Sequence, residues 1–145
     1  MNIDKKELRK YIGFVIQKPV VFDNTIIYNL LYGSDITREV LVSTIHQLGL
    51  DYFFNNFPNN IDTYIGKNGI NISGGQLQVI QILRVILFNP KIIIMDEPTS
   101  YIDVYNKEVV MNIIQNIFND RTVIIITHDQ DIIKYMDNII DLNEE

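Results

Sequence analysis

Three short runs of apolar, mostly β-branched residues stand out along the chain, at residues 11–16, 92–95 and 122–127. Each run is nearly continuous, which is typical of strands that are buried on both faces of a parallel sheet. A polar side chain follows each of them: Gln17 after the first, Asp96 and Glu97 after the second, and His128 after the third. The pattern predicts an α/β fold whose strands end in polar groups.

Apolar residues recur at helical spacing between the second and third runs, over residues 104–119. A strand, a helix and a strand in this order predict a right-handed crossover between parallel strands. Asp96, Glu97 and His128 should then emerge at one carboxyl edge of the sheet. Ligands bind at that edge in open α/β sheets.

Residues 23–89 follow a different pattern, with helical periodicity at 25–32, 37–48 and 77–88 and an Asn-rich loop at 55–60. We interpret this stretch as an α-helical subdomain inserted into an α/β core that residues 1–22 and 90–145 form. The whole chain, residues 1–145, is expected to be one domain, in agreement with its length.

Composition narrows the class of protein. The chain has no cysteine, a net charge of −6 and 47% hydrophobic residues. Missing thiols exclude a disulfide-stapled scaffold and cysteine-ligated metal sites. The acidic balance argues against a nucleic-acid partner, since affinity for phosphate backbones needs clustered Lys and Arg. No run approaches the ~20 apolar residues of a membrane span, and the N-terminus lacks the apolar segment of a signal peptide. We therefore expect a soluble chain.

Two adjacent carboxylates, Asp96 and Glu97, follow the second apolar run. The first can hold a hydrated Mg²⁺ at the sheet edge, and the second lies within reach of a water that attacks a γ-phosphate. An ordinary strand that ends in a polar turn before Pro98 explains the same pattern.

Ser73-Gly74-Gly75-Gln76 precedes the longest helical pattern. The two glycines leave backbone N–H groups uncovered at a helix N-terminus, which attracts anions such as phosphate. Ser73 and Gln76 also fit a capping box, which is purely structural. The two interpretations are compatible.

His128 and Gln17 can each be interpreted as ordinary polar residues at the end of a strand. His46 receives only a structural interpretation. His128 differs because it shares an edge with two carboxylates and can bind a phosphate or the attacking water.

Five elements in order resemble the nucleotide-binding domain of ABC ATPases, and the resemblance covers nearly the whole chain. They resemble its Q-loop (Gln17), signature (Ser73-Gly74-Gly75-Gln76), Walker B (Met95-Asp96-Glu97), D-loop (Ser100-Tyr101-Ile102-Asp103) and H-loop (Thr127-His128). The resemblance implies a partial P-loop NTPase, with a RecA-like parallel sheet.

Roles follow from the resemblance. Glu97 would be the general base, and Asp96 and Gln17 would contact Mg²⁺ through water. His128 would bind the γ-phosphate of ATP, and Asp103 would act across a dimer interface. The signature, Ser73 to Gln76, would embrace ATP that the opposite subunit holds.

Further segments resemble the exporter type of this family. Residues 22–33 are similar to the pattern Phe-x-x-Thr-Ile-x-x-Asn-Ile-x-Tyr-Gly, and residues 63–66 lie where exporters carry their transmission loop. The resemblance implies that the chain powers transmembrane export from the cytoplasmic side of a membrane, with the transmembrane domain in a separate chain or upstream.

The largest departure is that no G-x-x-x-x-G-K-[ST] motif occurs in the 145 residues. This Walker A loop cradles the β- and γ-phosphates. We therefore expect that the chain is the C-terminal portion of such a domain, that the isolated chain is inactive, and that an ABC-type subunit in a homo- or heterodimer supplies the loop. Among smaller departures, Leu77 replaces a basic residue and Lys67 replaces a Glu.

Several functions stay open at this point. The chain could be a part of an ATPase completed by another polypeptide, or a non-catalytic partner whose signature caps ATP on another subunit. A truncated relic and a non-transport ABC ATPase are further alternatives.

Overall fold

The computed structural model describes residues 5–100, 102–117 and 121–142. In chain order the helices are α1 Lys5–Tyr11, α2 Ile26–Leu31, α3 Arg38–Gln47, α4 Asp51–Asn55, α5 Gly74–Leu87, α6 Val104–Ile117 and α7 Gln130–Ile133. The strands are β1 Ile12–Val15, β2 Asn24–Thr25, β3 Tyr64–Ile65, β4 Ile92–Asp96 and β5 Thr122–Ile126. A 3-10 turn spans Asn60–Asp62.

The main sheet has three parallel strands in the order β1-β4-β5. Its strands are the three apolar runs, and α6 connects β4 to β5, as the sequence predicts. The first run was assigned one residue too many at each end, because Tyr11 belongs to α1 and Ile16 lies outside β1. A mixed α/β fold with a parallel sheet is consistent with a partial RecA-like ATPase domain.

One face of this sheet is covered. Ile93 and Met95 of β4 and Val15 of β1 are buried, and α5 packs on β1 and on α6. Gly13 allows this close approach, since a β-carbon there would lie 2.6 Å from Val85 Cγ1 of α5. The sheet and α5 therefore enclose one part of the apolar core, which continues into α2, α3, α4 and α6.

The other face is exposed at its two outer strands. Phe14, Ile94 and Ile124 lie side by side in register across the sheet. Phe14 is 57% and Ile124 is 49% exposed. The expectation that all three strands are buried on both faces is therefore wrong for β1 and β5, since the described elements leave this apolar face uncovered.

Capping side chains start the helices of the central segment. Thr25 caps α2 and Thr37 caps α3, each by accepting a backbone N–H, in agreement with the predicted periodicities. Ser73 caps α5, which starts at Gly74, three residues before the periodic pattern.

Several short elements were not predicted. They are α1, α4, α7 and the antiparallel pair β2 and β3. The Asn-rich stretch is less of a loop than expected, because Asn55 ends α4 and Asn60 begins the 3-10 turn. Phe53, Phe54 and Phe57 pack edge to face there and anchor the stretch in the core. Within the described residues, no helix has the length and apolarity needed to cross a membrane.

Candidate functional site

The carboxyl ends of the strands bring Glu97 and His128 together. Asp96 ends β4 opposite Ile126 of β5, and Glu97 and His128 follow within two residues. His128 Nδ1 lies 2.7 Å from Glu97 Oε1. A carboxylate and an imidazole in contact at the edge of a parallel sheet can share or transfer a proton.

A tight turn fixes the orientation of Glu97. Its backbone adopts φ +48°, its N–H donates to Ile126 O at 2.9 Å, and its C=O accepts from Ser100 N. Ser100 Oγ donates to Glu97 Oε2 at 2.9 Å. Left-handed φ values are uncommon for residues other than glycine, and they cluster at functional sites. Both carboxylate oxygens are held, while the His128 side chain is 87% exposed.

Asp129 braces the segment that carries His128. Its carboxylate accepts from Thr99 Oγ1 at 2.7 Å and from Lys107 Nζ, and it caps α7. Burial by itself would raise the pKa of Asp129, but the hydrogen bonds from Lys107 and Thr99 outweigh it and hold the pKa below its usual range. This network joins the Glu97 turn, α6 and the His128 segment.

Asp96 and Gln17 lie at the same edge, but fewer contacts hold their side chains than hold Glu97 and Asp129. Asp96 is exposed and Gln17 is half-buried. Among the described residues, Gln17 makes no hydrogen bond to Asp96 or Glu97. The residue before it is fixed, because the Gln81 amide of α5 can bond both the N–H and the C=O of Ile16 at 3.0 Å.

An open edge of this kind fits Mg²⁺. The ion usually keeps several waters and binds one or two carboxylates together with substrate phosphates. Asp96 offers an exposed carboxylate, and Gln17 a carbonyl-type oxygen. The described parts of the chain contain no group of three or more His, Cys, Asp or Glu that could hold a metal by themselves. A bound nucleotide would have to complete the coordination.

The segment Ser73 to Gln76 forms a capping box at the start of α5. Ser73 Oγ accepts from Gln76 N at 3.1 Å, and Gln76 Oε1 accepts from Ser73 N at 3.0 Å. Gly74 is exposed, whereas Gly75 is buried against Asn106 of α6. Only the first of the two glycines is therefore open to solvent.

Asp103 caps the first turn of α6. Its carboxylate accepts from the Asn106 N–H at 2.9 Å and from Asn106 Nδ2. These bonds, first the one from the backbone N–H and then the one from the amide, hold the pKa of Asp103 below its usual range. Tyr101, predicted as part of the same loop, lies outside the described residues.

Residues 22–33 and 63–69 form one surface. The exposed rings of Phe22, Tyr28 and Tyr32 cluster, and the Phe22 and Tyr32 centroids lie 4.2 Å apart. Beside them, Asp23 accepts from both the backbone N–H and the side-chain amide of Asn68. Lys67, the charge-reversed position, is exposed.

Sequence reasoning missed Thr99, Lys107, Asn106 and Asp129. A usable signal existed for Asn106, which stands three residues after an Asp at a helix start, in the spacing of a capping box. Thr99 and Lys107 carried no such signal, because each acts on a residue more than twenty positions away.

Comparison with known proteins gives the same family as the sequence motifs. The sequence profile of the ABC transporter family matches residues 1–100. ABC transporter B family member 14 of Arabidopsis thaliana is 35% identical over 99% of the chain, which spans 12% of that protein. B family member 1 of Dictyostelium discoideum is 38% identical over 88% of the chain, which spans 15% of it.

A further relative is the mitochondrial iron-sulfur clusters transporter ABCB7 of Danio rerio. It is 36% identical over 99% of the chain, which spans 19% of its length. The chain thus corresponds to less than a fifth of each of these three relatives. The chain belongs to the ABC transporter family, as part of an exporter-type ATP-binding domain.

Proposed function

We propose that the chain supplies the hydrolytic half of an ATPase site to ATP that is held by a Walker A loop outside these 145 residues. The observation that carries the proposal is the 2.7 Å contact between His128 Nδ1 and Glu97 Oε1 at the carboxyl edge of the sheet. Glu97 accepts the proton of the attacking water, and His128 orients the γ-phosphate.

Mg²⁺, when bound with the nucleotide, neutralises charge that develops on the phosphates. Asp96 and Gln17 are the residues that would hold it, through water. Ser100 keeps the Glu97 carboxylate in place, and the Asp129 network keeps the His128 segment against it.

The uncovered face of the sheet is evidence that a second polypeptide segment packs on it. Phe14 and Ile124 expose apolar surface beside the half-buried Ile94. Exposed apolar patches of this kind mark interaction surfaces. We propose that the segment carrying the Walker A loop packs here, either from a separate polypeptide or from another part of a longer chain.

The signature segment, Ser73 to Gln76, is proposed to act on a second ATP. The hydrogen bonds of the described residues do not join this capping box to Glu97 or His128. A helix N-terminus offers free N–H groups to a phosphate that approaches from outside. We therefore propose that it closes over ATP bound by an opposite ABC-type subunit, with Asp103 contributing to the same interface.

A transmembrane partner is proposed for the aromatic surface. Tyr28 and Tyr32 line one side of a shallow groove of about 490 Å³ that begins at β2, and the Phe22 ring packs against both of them. Aromatic residues are enriched at protein interfaces. Coupling of ATP hydrolysis to export through this surface, on the cytoplasmic side of a membrane, is part of the proposal.

A non-catalytic function is the second candidate. It is favoured by the intact capping box at the start of α5 together with the lack of a Walker A motif in these residues. In that case the signature would cap a partner's ATP, and Glu97 would have no catalytic role.

Two steps distinguish the catalytic function from the non-catalytic one. The chain is co-purified with a candidate partner that carries a Walker A loop, and phosphate release by the complex is then assayed. We expect Glu97→Gln to lower the rate by about 10²–10⁴-fold, the usual contribution of a general base. Glu108→Gln, on the exposed surface of α6, is the matched control and should leave the rate unchanged. Full phosphate release by the Glu97→Gln complex would contradict the catalytic assignment and favour the second candidate.

A further inference from the structure

Asn106 connects two loops that the proposed function places at the subunit interface. It is the third residue of α6, and it is only 5% exposed. Its backbone N–H and its Nδ2 both donate to the carboxylate of Asp103. The position of the Asp103 carboxylate therefore depends on the Asn106 side chain.

The same side chain packs on the signature end of α5. A β-carbon on Gly75 would lie 3.0 Å from Asn106 Cβ and 3.1 Å from its Nδ2. Glycine at position 75 lets the amide lie directly on the helix backbone. A displacement of Asn106 is thus transmitted to Gly75 without an intervening side chain.

Two buried polar atoms, one on each of these helices, have no partner among the described residues. They are Oδ1 of Asn106 and Nε2 of Gln78, which is 3% exposed and lies three residues after Gly75 on the same face of α5. A buried polar group without a hydrogen-bond partner destabilises the folded chain. An apolar residue at position 106 would avoid this cost, so packing by itself does not account for an amide here.

We propose that Asn106 is a positioning residue that couples the Asp103 carboxylate to the signature end of α5, so that the two interface groups respond together. The proposal rests on the proposed function for its purpose, but the coupling itself is a property of the chain. When a partner contacts Asp103, the Asn106 amide shifts with the carboxylate, and the first turn of α5 shifts with the amide.

Hydrogen exchange of the chain measures this coupling. The readout is the exchange rate of the backbone amides of residues 76–79, in the wild type, Asp103→Ala, Asn106→Ala and the double variant. We expect each single substitution to speed exchange about fivefold, the factor that one hydrogen bond of ordinary net strength corresponds to. The double variant should exchange no faster than either single variant, because both substitutions break the same connection.

Controls separate coupling from general loosening. Amides of α3 should keep their wild-type rates in all variants, and Glu108→Ala, at an exposed position of α6, should leave residues 76–79 unchanged. If Asn106→Ala also loosens α3, Asn106→Ser, which keeps a short polar side chain, replaces it.

Three results would overturn the proposal. They are no change at residues 76–79 in Asp103→Ala, an effect of the double variant equal to the product of the single effects, and faster exchange in α3 as well as at residues 76–79 in both Asn106→Ala and Asn106→Ser. The experiment needs neither nucleotide nor partner. If the exchange data show the coupling but the complex does not hydrolyse ATP, the proposed function fails and the coupling stands.

Discussion

At the scale of single residues, the catalytic proposal depends on how tightly Glu97 is held. Its two carboxylate oxygens contact different groups, Ser100 Oγ and His128 Nδ1, and its backbone occupies a left-handed conformation. A general base must lie within hydrogen-bond reach of the proton that it accepts. The turn therefore orients the Glu97 carboxylate in the absence of nucleotide.

Ser100→Ala tests this orientation. We expect the substitution to lower kcat of the reconstituted complex about fivefold and to leave KM nearly unchanged, because one hydrogen bond to the base is lost while no substrate contact is removed. Steady-state phosphate release provides the measurement. Ser43→Ala, at an exposed position of α3, is the control, and an equal loss in that variant would show that the effect is not local.

Gly75→Ala tests the close contact on α5. The new methyl group would lie 3.0 Å from Asn106 Cβ, and the resulting strain should destabilise the chain by about 1–3 kcal/mol in urea unfolding. In the background of Asn106→Gly, which removes the β-carbon and the amide that the methyl would meet, we expect most of this loss to disappear. Equal destabilisation in both backgrounds would mean that Asn106 is not the group that the methyl meets.

At the scale of elements, a network between the turn after β4, α6 and α7 holds the sheet edge that carries Glu97 and His128. Asp129 accepts from Thr99 after β4 and from Lys107 of α6, and it caps α7. Its side chain is 17% exposed, so solvent screens these bonds only in part. The network makes the position of His128 depend on the ionised state of Asp129.

This network predicts a pH dependence of stability. The folded-state pKa of Asp129 is lowered, so its contribution is present above the unfolded value of about 4 and is lost as the pH falls through the folded value. Asp129→Asn should therefore cost about 1–2 kcal/mol at pH 6 and less at pH 3, which lies below the unfolded value. Urea unfolding at both pH values checks this. Asp131→Asn, at a more exposed partner of Lys107, should show a smaller change, and a pH-independent loss in Asp129→Asn would refute the explanation.

The sequence was most informative where local signals and the fold agree. Continuous apolar runs located β1, β4 and β5 to within a residue or two, and Ser73 with Gln76 located the start of α5 through a capping box. The sequence could not indicate Thr99 with Asp129, because the two meet only after α6 returns the chain to the sheet edge. The prediction that the strands are buried on both faces was wrong, because an apolar run does not reveal whether another element packs on it.

At the scale of the whole molecule, the uncovered sheet face dominates the behaviour that we expect. Phe14 and Ile124 are about half exposed on the face opposite α5. Surfaces of this kind favour association with another chain or aggregation. We expect the purified chain to bind the dye ANS and to aggregate as its concentration rises, and both effects should diminish when a polypeptide carrying the Walker A region is present.

Phe14→Lys provides the matched test of that surface. The substitution places a charge on the exposed face without disturbing the buried one, so it should reduce ANS fluorescence and aggregation of the isolated chain. It should also weaken co-purification with the partner. Tyr52→Lys, at an exposed aromatic position of α4, is the control, and the same loss of co-purification in that variant would argue against the sheet face as the docking surface.

We propose that this chain carries the hydrolytic residues of an ATPase site but does not bind ATP by itself. The decisive experiment is calorimetric titration of ATP and Mg²⁺ into the purified chain, and then into its complex with a polypeptide that carries a Walker A loop. We predict no measurable binding to the chain alone and saturable binding to the complex. Micromolar binding of ATP to the isolated chain would contradict the account.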